Sequence, residues 1–398
     1  MIKHFFILLT ILIMSGTSVQ SGNRHSDPNS DPSSDLQRMT DSLVNYFHTK
    51  MNVVEGGMFV KVVAPKGNYF VSSGINPPPA ENSHFRIASN TKTFTAASIM
   101  LLYQEGKLNI DDYITGTFTG TNTTYLPETP AYNIPFKTQM TIKQLLQHRA
   151  GVFDVTNTII PATINQPYTG QIYYQYIESL PGEKLHTFTF DELIGVVSLN
   201  DLYYFKPGED FHYSNTGYNI LGKIIERASG MSYSDFVTKR FIEPLQLTNT
   251  IPVWKGTDIT IPSPQIQGYM NINDTVTNTT EKNMSEHVAE GNLISTPEDL
   301  AKWIKLLITG RAGVSSENVA LMKIMHPAGP LIGHYGLGLV LDKAGYGHDG
   351  GTRSYISFMR YNPENDITII MLCNFIVNPD AQDMMLLDFA ANVVEVVK

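Results

Sequence analysis

The chain has 398 residues, 42% of them hydrophobic, which is enough for a large core. Its formal net charge is −9 and it carries no long basic run, which argues against a nucleic-acid partner, because neutralising phosphates takes clustered Lys and Arg. One cysteine, Cys373, excludes an intramolecular disulfide, and no His-Glu-x-x-His or paired-Cys pattern points to a metal or other cofactor.

The N-terminal stretch MIKHFFILLTILIMSGTSVQSGN sets Lys3 and His4 before an apolar run from Phe5 to Met14, then small residues. This order predicts a cleavable signal peptide over 1–21, too short for a stable membrane anchor and without a Cys for a lipid anchor. Cleavage is expected between Gly16 and Gly22, giving a secreted or periplasmic protein with no integral membrane segment. Residues 22–34 are Pro- and Ser-rich and are expected to form a flexible tether. From Asp35 to Asn52, Leu36, Met39, Leu43, Val44 and Phe47 share one helical face. GMFVKVVAP and NYFVSSG alternate on either side of a Pro-Lys-Gly turn and predict a hairpin.

FRIASNTKTFTAASIMLLYQEGKL follows, with Ser89-Asn90-Thr91-Lys92 at the head of a helix-period run. A serine needs a neighbouring base to act as a nucleophile. In a helix starting at about Ser89, Lys92 lies one turn along on the same face. The helix start also offers free N–H groups to a developing oxyanion. The plainer alternative is an N-cap serine beside a solvated lysine. Two loops come next. Thr115 to Phe136 is rich in Thr, Gly and Pro, and Asn157 to Phe190 is rich in tyrosine. The second suits either a lid or a packed surface loop.

Tyr213-Ser214-Asn215 then precedes an apolar helix from about Thr216 to Ala228. In extended backbone Tyr213 and Asn215 point the same way. A tyrosine near an ammonium can lose its proton more easily and act as a general base, and an asparagine amide can hold both a lysine and a substrate carbonyl. The plainer alternative is a core tyrosine and an N-cap asparagine. Strand patterns return in YGLGLVLD, SYISFMRY and DITIIMLCNF, the last holding Cys373 as a small buried hydrophobe. Between the first two, Gly347-His348-Asp349-Gly350-Gly351 reads as a turn whose glycines admit another backbone or a ligand. An amphipathic helix from about Ala381 to Val397 closes the chain.

These elements predict an α/β (α+β) fold: an antiparallel sheet of about five strands, two N-terminal and three C-terminal, flanked by the terminal helices. The sheet lobe spans about 35–88 and 311–398, and a mostly helical lobe, about 89–310, is inserted in it. In this order Ser-x-x-Lys, Tyr-x-Asn and His-x-Gly resemble the signature of the serine β-lactamase and DD-peptidase superfamily, nearest its class C-like branch. MTIKQLLQHRAGV is similar to the segment that leads a helix into a His-x-Ser-Gly turn, with Arg149-Ala150-Gly151 in place of the usual residues. GNLISTPEDLAKWIKLLITG is similar to the family's Gly-rich turn and capped helix. The likeness extends over about residues 36–398.

The resemblance implies a mechanism. Ser89 would attack an acyl carbonyl, Lys92 and Tyr213 would share its proton, and Asn215 would orient Lys92 and the substrate. His348 would set the electrostatics around Tyr213, and the N–H groups of Ser89 and Gly351 would form the oxyanion hole. No segment like the class A deacylating glutamate is recognisable, which favours tyrosine-based chemistry. Asp349, Gly350 and Arg353 would face the substrate. Asp349 stands where many relatives have a Thr that helps bind a substrate carboxylate, and an ionised Asp would repel that group unless Arg353 neutralises it. The substrate is therefore expected to be a small molecule or peptide with a scissile ester or amide. A D-residue aminopeptidase or an esterase fits better than a β-lactamase or D-alanyl-D-alanine carboxypeptidase. A sensor that is acylated by β-lactams without turnover stays open.

Overall fold

The structure, a computed structural model, describes residues 31–272 and 275–398. The expected signal peptide lies outside these residues, and so does most of the expected tether. Helix α1 (Pro32–Lys50) already begins inside the tether's span, because Asp31 caps the Ser33 N–H and Pro32 sits in the first turn. Strands β1 (Met58–Ala64) and β2 (Gly67–Ser73) form the expected hairpin. Helix α2 (Thr91–Gln104) is buried on nearly every face, which is why its apolar run lacks a polar stripe. Helix α3 (Asn215–Ser229) and helix α4 (Pro297–Ile308) belong to the inserted region. Thr296 caps α4, as the Ser-Thr-Pro-Glu-Asp pattern leads one to expect.

The sheet has eight strands rather than about five. After the hairpin come β3 (His326–Pro327), β4 (His334–Tyr335), β5 (Val340–Asp342), β6 (Gly345–Gly351), β7 (Ile356–Asn362) and β8 (Ile367–Cys373). Their order is β2-β1-β8-β7-β6-β5-β4-β3, with every neighbouring pair antiparallel. The expected turn at 347–351 lies within a full interior strand, 345–351, paired from Tyr346↔Tyr361 to Gly351↔Ile356. Glycine-rich sequence lacks the β-branched and aromatic residues that mark strands, so this one is held by its neighbours rather than by its own propensity. Helix α5 (Pro379–Val397) ends the chain.

Two cores sandwich the sheet. One face packs on α1 and α5 through Leu36, Phe47, Phe375, Phe389 and Val393. The other face packs on the inserted helices, where Phe94 of α2 stacks on Trp303 of α4 with ring centroids 3.7 Å apart. The tyrosine-rich stretch is packed: Tyr168 and Tyr173 meet edge to face, and Tyr168 accepts a 2.8 Å hydrogen bond from Asn200. Cys373 is fully buried, and burial pushes its thiol up, away from the reactive thiolate.

Candidate active site

Ser89 sits in a short 3₁₀ turn, Ala88–Asn90, that runs into α2. Ala88 takes φ +48°, a left-handed conformation that costs a non-glycine residue about 1 kcal/mol or more. The turn is pinned from the sheet side, where Ser357 donates to Ile87 O at 3.0 Å and accepts from Asn90 Nδ2 at 2.8 Å. Gly350 of β6 crosses so closely that a Cβ there would lie 2.3 Å from Ile87 O. Here glycine is required by the approach of a second backbone, as its place in the motif led one to expect.

Lys92 is fully buried one turn from Ser89. Its Nζ lies 3.1 Å from Ser89 Oγ, 2.7 Å from Asn215 Oδ1 and 2.9 Å from the Glu290 carbonyl oxygen, with Glu290 Oε2 at 3.3 Å. Three of these atoms, Asn215 Oδ1 and the two Glu290 oxygens, can only accept, and Ser89 Oγ is the one partner that can also donate to the nitrogen. Burial pulls Lys92 below its usual value, while Glu290 and Asp154 hold part of that shift back. Asn215 is aimed in turn: its Nδ2 donates to Thr156 Oγ1 at 3.0 Å, and Thr156 donates to Asp154 Oδ1 at 2.9 Å. The cap of α3 is Ser214, whose side chain accepts from Gly217 N–H, so Asn215 is free to point at Lys92.

Tyr213 stands over the same lysine, with Nζ 4.8 Å from the ring centroid. Its hydroxyl is buried and, among the described residues, makes no hydrogen bond of ordinary geometry. Burial drives its acidity well above the usual tyrosine value, and the nearby Ser89 hydroxyl only partly offsets that. The ammonium effect expected from the sequence is thus outweighed by desolvation, and Tyr213 is neutral at rest.

Behind Tyr213 runs a directed chain of hydrogen bonds. The Ser214 N–H donates to His148 Nδ1 at 3.1 Å, which places the His148 proton on Nε2. That N–H donates to the Tyr335 hydroxyl at 3.2 Å. Tyr335 donates to His348 Nε2 at 2.8 Å, and His348 Nδ1–H donates to the Asp349 carbonyl at 2.6 Å. Burial and Lys92 push His348 down to about 3 and His148 well below its usual value. His348 therefore contributes a lone pair rather than a charge. The His148 ring lies against the Tyr213 ring, with centroids 4.1 Å apart, so the chain also sets the tyrosine's orientation.

These residues open into a cleft of about 260 Å³ lined by Ser89, Tyr213, Tyr335, His348, Asp349 and Gly351. Asp380, Asp383, Met384 and Leu387 of α5 form its other wall. A cavity of about 350 Å³, lined by Phe190, Lys223, Tyr233 and Trp254, lies apart from these groups and holds none of them. Asp349 faces the cleft, but its partner is not Arg353. The buried Arg360 donates to Asp349 Oδ2 at 2.9 Å and to Asp342 Oδ2 at 2.7 Å. Arg353 is exposed, and its charge is felt at Glu178 and Lys282 instead. One guanidinium thus faces two carboxylates, and the cleft stays acidic. Burial together with Asp349 and Asp380 pushes Asp383 up to about 7, although part of the residue is open to solvent, which softens the effect of burial.

Glu290, Asp154, Thr156, His148, Tyr335 and Arg360 escaped the sequence reading. His148 and Glu290 did lie in or beside segments that resembled family turns, a signal of position without a role. Glu290 reaches Lys92 because Phe85–Arg86 pairs with Leu293–Ser295, which seats the Gly291 turn beside Ser89. Its carboxylate is 2% exposed and also bonds His287 Nδ1.

A family model described as Beta-lactamase matches residues 55–392. Protein flp of Staphylococcus aureus (strain MW2) is 25% identical over 354 residues, which cover 85% of this chain and 63% of that protein. The chain thus spans a little under two thirds of that relative's length. A D-amino acid amidase from Ochrobactrum anthropi SV3, solved with L-phenylalanine amide, superposes with a TM-score of 0.71 at 25% identity, covering 92% of this chain and 99% of that one. A D-stereospecific amidohydrolase from a Streptomyces species shares the fold at TM-score 0.72 and 24% identity, over 89% of this chain and 98% of its own.

Proposed function

The chain belongs to the Beta-lactamase family, and on that premise we propose that it is a secreted serine hydrolase that opens ester or amide bonds through an acyl-enzyme on Ser89. The observation that carries this reading is the setting of Lys92: oxygens of Asn215 and Glu290 accept its N–H groups, and Ser89 Oγ, at 3.1 Å, is the one partner that can give it a proton. As an amine, Lys92 takes the serine proton while Oγ attacks the carbonyl. Tyr213, neutral and facing the cleft, passes a proton to the leaving group and takes it back from the neighbouring Lys92 ammonium, which returns to the amine. The N–H groups of Ser89 and Gly351 hold the oxyanion.

Substrate choice follows from charge. Asp349, Asp380 and Asp383 line the cleft, and Arg360 is shared with Asp342. A carboxylate beside the scissile bond is disfavoured, and a neutral ester or an amino-acid amide with a free ammonium is favoured. The likeness to a D-amino acid amidase supports the amide form. Export rests on the apolar run from Phe5 to Met14. A mature protein whose first residue lies between Gly16 and Gly22 is the expected result, and an uncleaved exported chain would count against it.

The test is a substrate panel of p-nitrophenyl esters, D- and L-amino-acid anilides and a chromogenic cephalosporin, with mass spectrometry of the trapped enzyme. Esters or D-amino-acid anilides should turn over faster than the cephalosporin, with the adduct on Ser89 and none in Ser89→Ala. An adduct elsewhere sinks the nucleophile. A stoichiometric burst on the cephalosporin with no turnover of any substrate makes the protein a sensor.

A further inference from the structure

Ser89 and Gly351 border two spaces. One is the cleft, which Tyr213 lines and Glu290 does not. The other is a chamber of about 50 Å³ bounded by Ser89, Asn157, Asn215, His287, Glu290 and Gly351, which Tyr213 does not line. A water needs only about 10–15 Å³ and two to four polar partners, and the chamber supplies both. An acyl group on Ser89 with its oxygen toward the N–H groups of Ser89 and Gly351 therefore presents one face to Tyr213 and the other to Glu290.

Glu290 is equipped to take a proton there. Burial pushes its carboxyl up, but His287 and Lys92 outweigh burial and hold it below the usual glutamate value, so it is ionised. Its Oε2 lies 3.3 Å from Lys92 Nζ, and its other oxygen is held by His287 Nδ1, whose ring also borders the chamber. A carboxylate with a structural part alone would neutralise Lys92. This one also borders a space that opens on the serine.

Resting on the acyl-enzyme reading above, we propose that Glu290 is the general base of deacylation, acting on a water in the chamber from the side opposite Tyr213. The water oxygen bonds to the acyl carbon and its proton passes to Glu290. Glu290 passes that proton across their contact to the Lys92 amine. The tetrahedral species collapses, the bond from carbon to Ser89 Oγ breaks, and Oγ takes the proton from the Lys92 ammonium so formed. One water is consumed and one carboxylic acid is released. His287 is a positioning residue that fixes the carboxylate.

The test is stopped-flow hydrolysis of p-nitrophenyl acetate with intact-mass analysis. In Glu290→Gln the burst rate should stay within about tenfold of wild type, while the steady rate falls by about 10²–10³-fold and the acetyl adduct on Ser89 accumulates. Glu290→Asp should accumulate the adduct to a lesser degree, and serves if the amide variant does not fold. Equal loss of burst and steady rates, with no accumulated adduct, overturns the proposal, since Glu290 would then act only through Lys92 in acylation. An unchanged steady rate overturns it too. Absence of any Ser89 adduct in the wild type would instead overturn the hydrolase reading, and this proposal with it.

Discussion

At the scale of single residues the site is governed by burial more than by neighbouring charge. Lys92 is lowered and Tyr213 raised although they adjoin each other, because each would have to carry its charge without water. The same desolvation keeps His148 and His348 neutral, so their tautomers are set by a backbone N–H at one end and a carbonyl at the other. Tyr335 is the link between them. Tyr335→Phe leaves two imidazole nitrogens buried without partners and should cost about 1–3 kcal/mol in a urea unfolding experiment. It also frees the ring that orients Tyr213, so kcat should fall more than KM rises. Wild-type stability and kcat in this variant would rule out the chain as a support for Tyr213.

At the scale of elements, β6 positions the site by lying close to the Ser89 turn. Gly350→Ala would place a methyl 2.3 Å from Ile87 O and 2.7 Å from Ser357 Oγ. That overpacking should cost about 1–3 kcal/mol and shift Ser89 away from Lys92, lowering kcat. Gly351→Ala meets nothing within 4 Å and should change stability by less than about 0.5 kcal/mol. Equal unfolding midpoints for the two variants would show that the strand is not tight against the turn. The spacing that revealed Lys92 and Asn215 in the sequence is local, one helical turn and one alternation of extended chain. The strand character of 345–351 was hidden because four of its seven residues are glycine and its pairing partner lies in β7.

At the scale of the whole molecule, the cleft forms where α5 comes to face β6, and its charge depends on both. Asp383, held up near 7, is mostly protonated below that pH and ionised above it. The cleft is therefore more negative at pH 8 than at pH 6, and KM for an amide bearing a permanently charged trimethylammonium group should rise as pH falls through 7. KM for a neutral ester should not. Asp383→Asn should flatten the amide profile, and a wild-type amide profile already flat from pH 6 to 8 would remove Asp383 from substrate binding. By itself the sequence determined the family signature, the hairpin, the terminal helices and the serine–lysine–asparagine set, because each rests on spacing within a few residues. Only the tertiary structure decided the partner of Asp349, the histidine–tyrosine chain and the place of Glu290. Those contacts join segments far apart in the chain, as with the Leu293 N–H bond to Thr91 Oγ1 across 202 positions. No local periodicity encodes such a pairing, and it exists only once the sheet and the inserted helices close around Ser89.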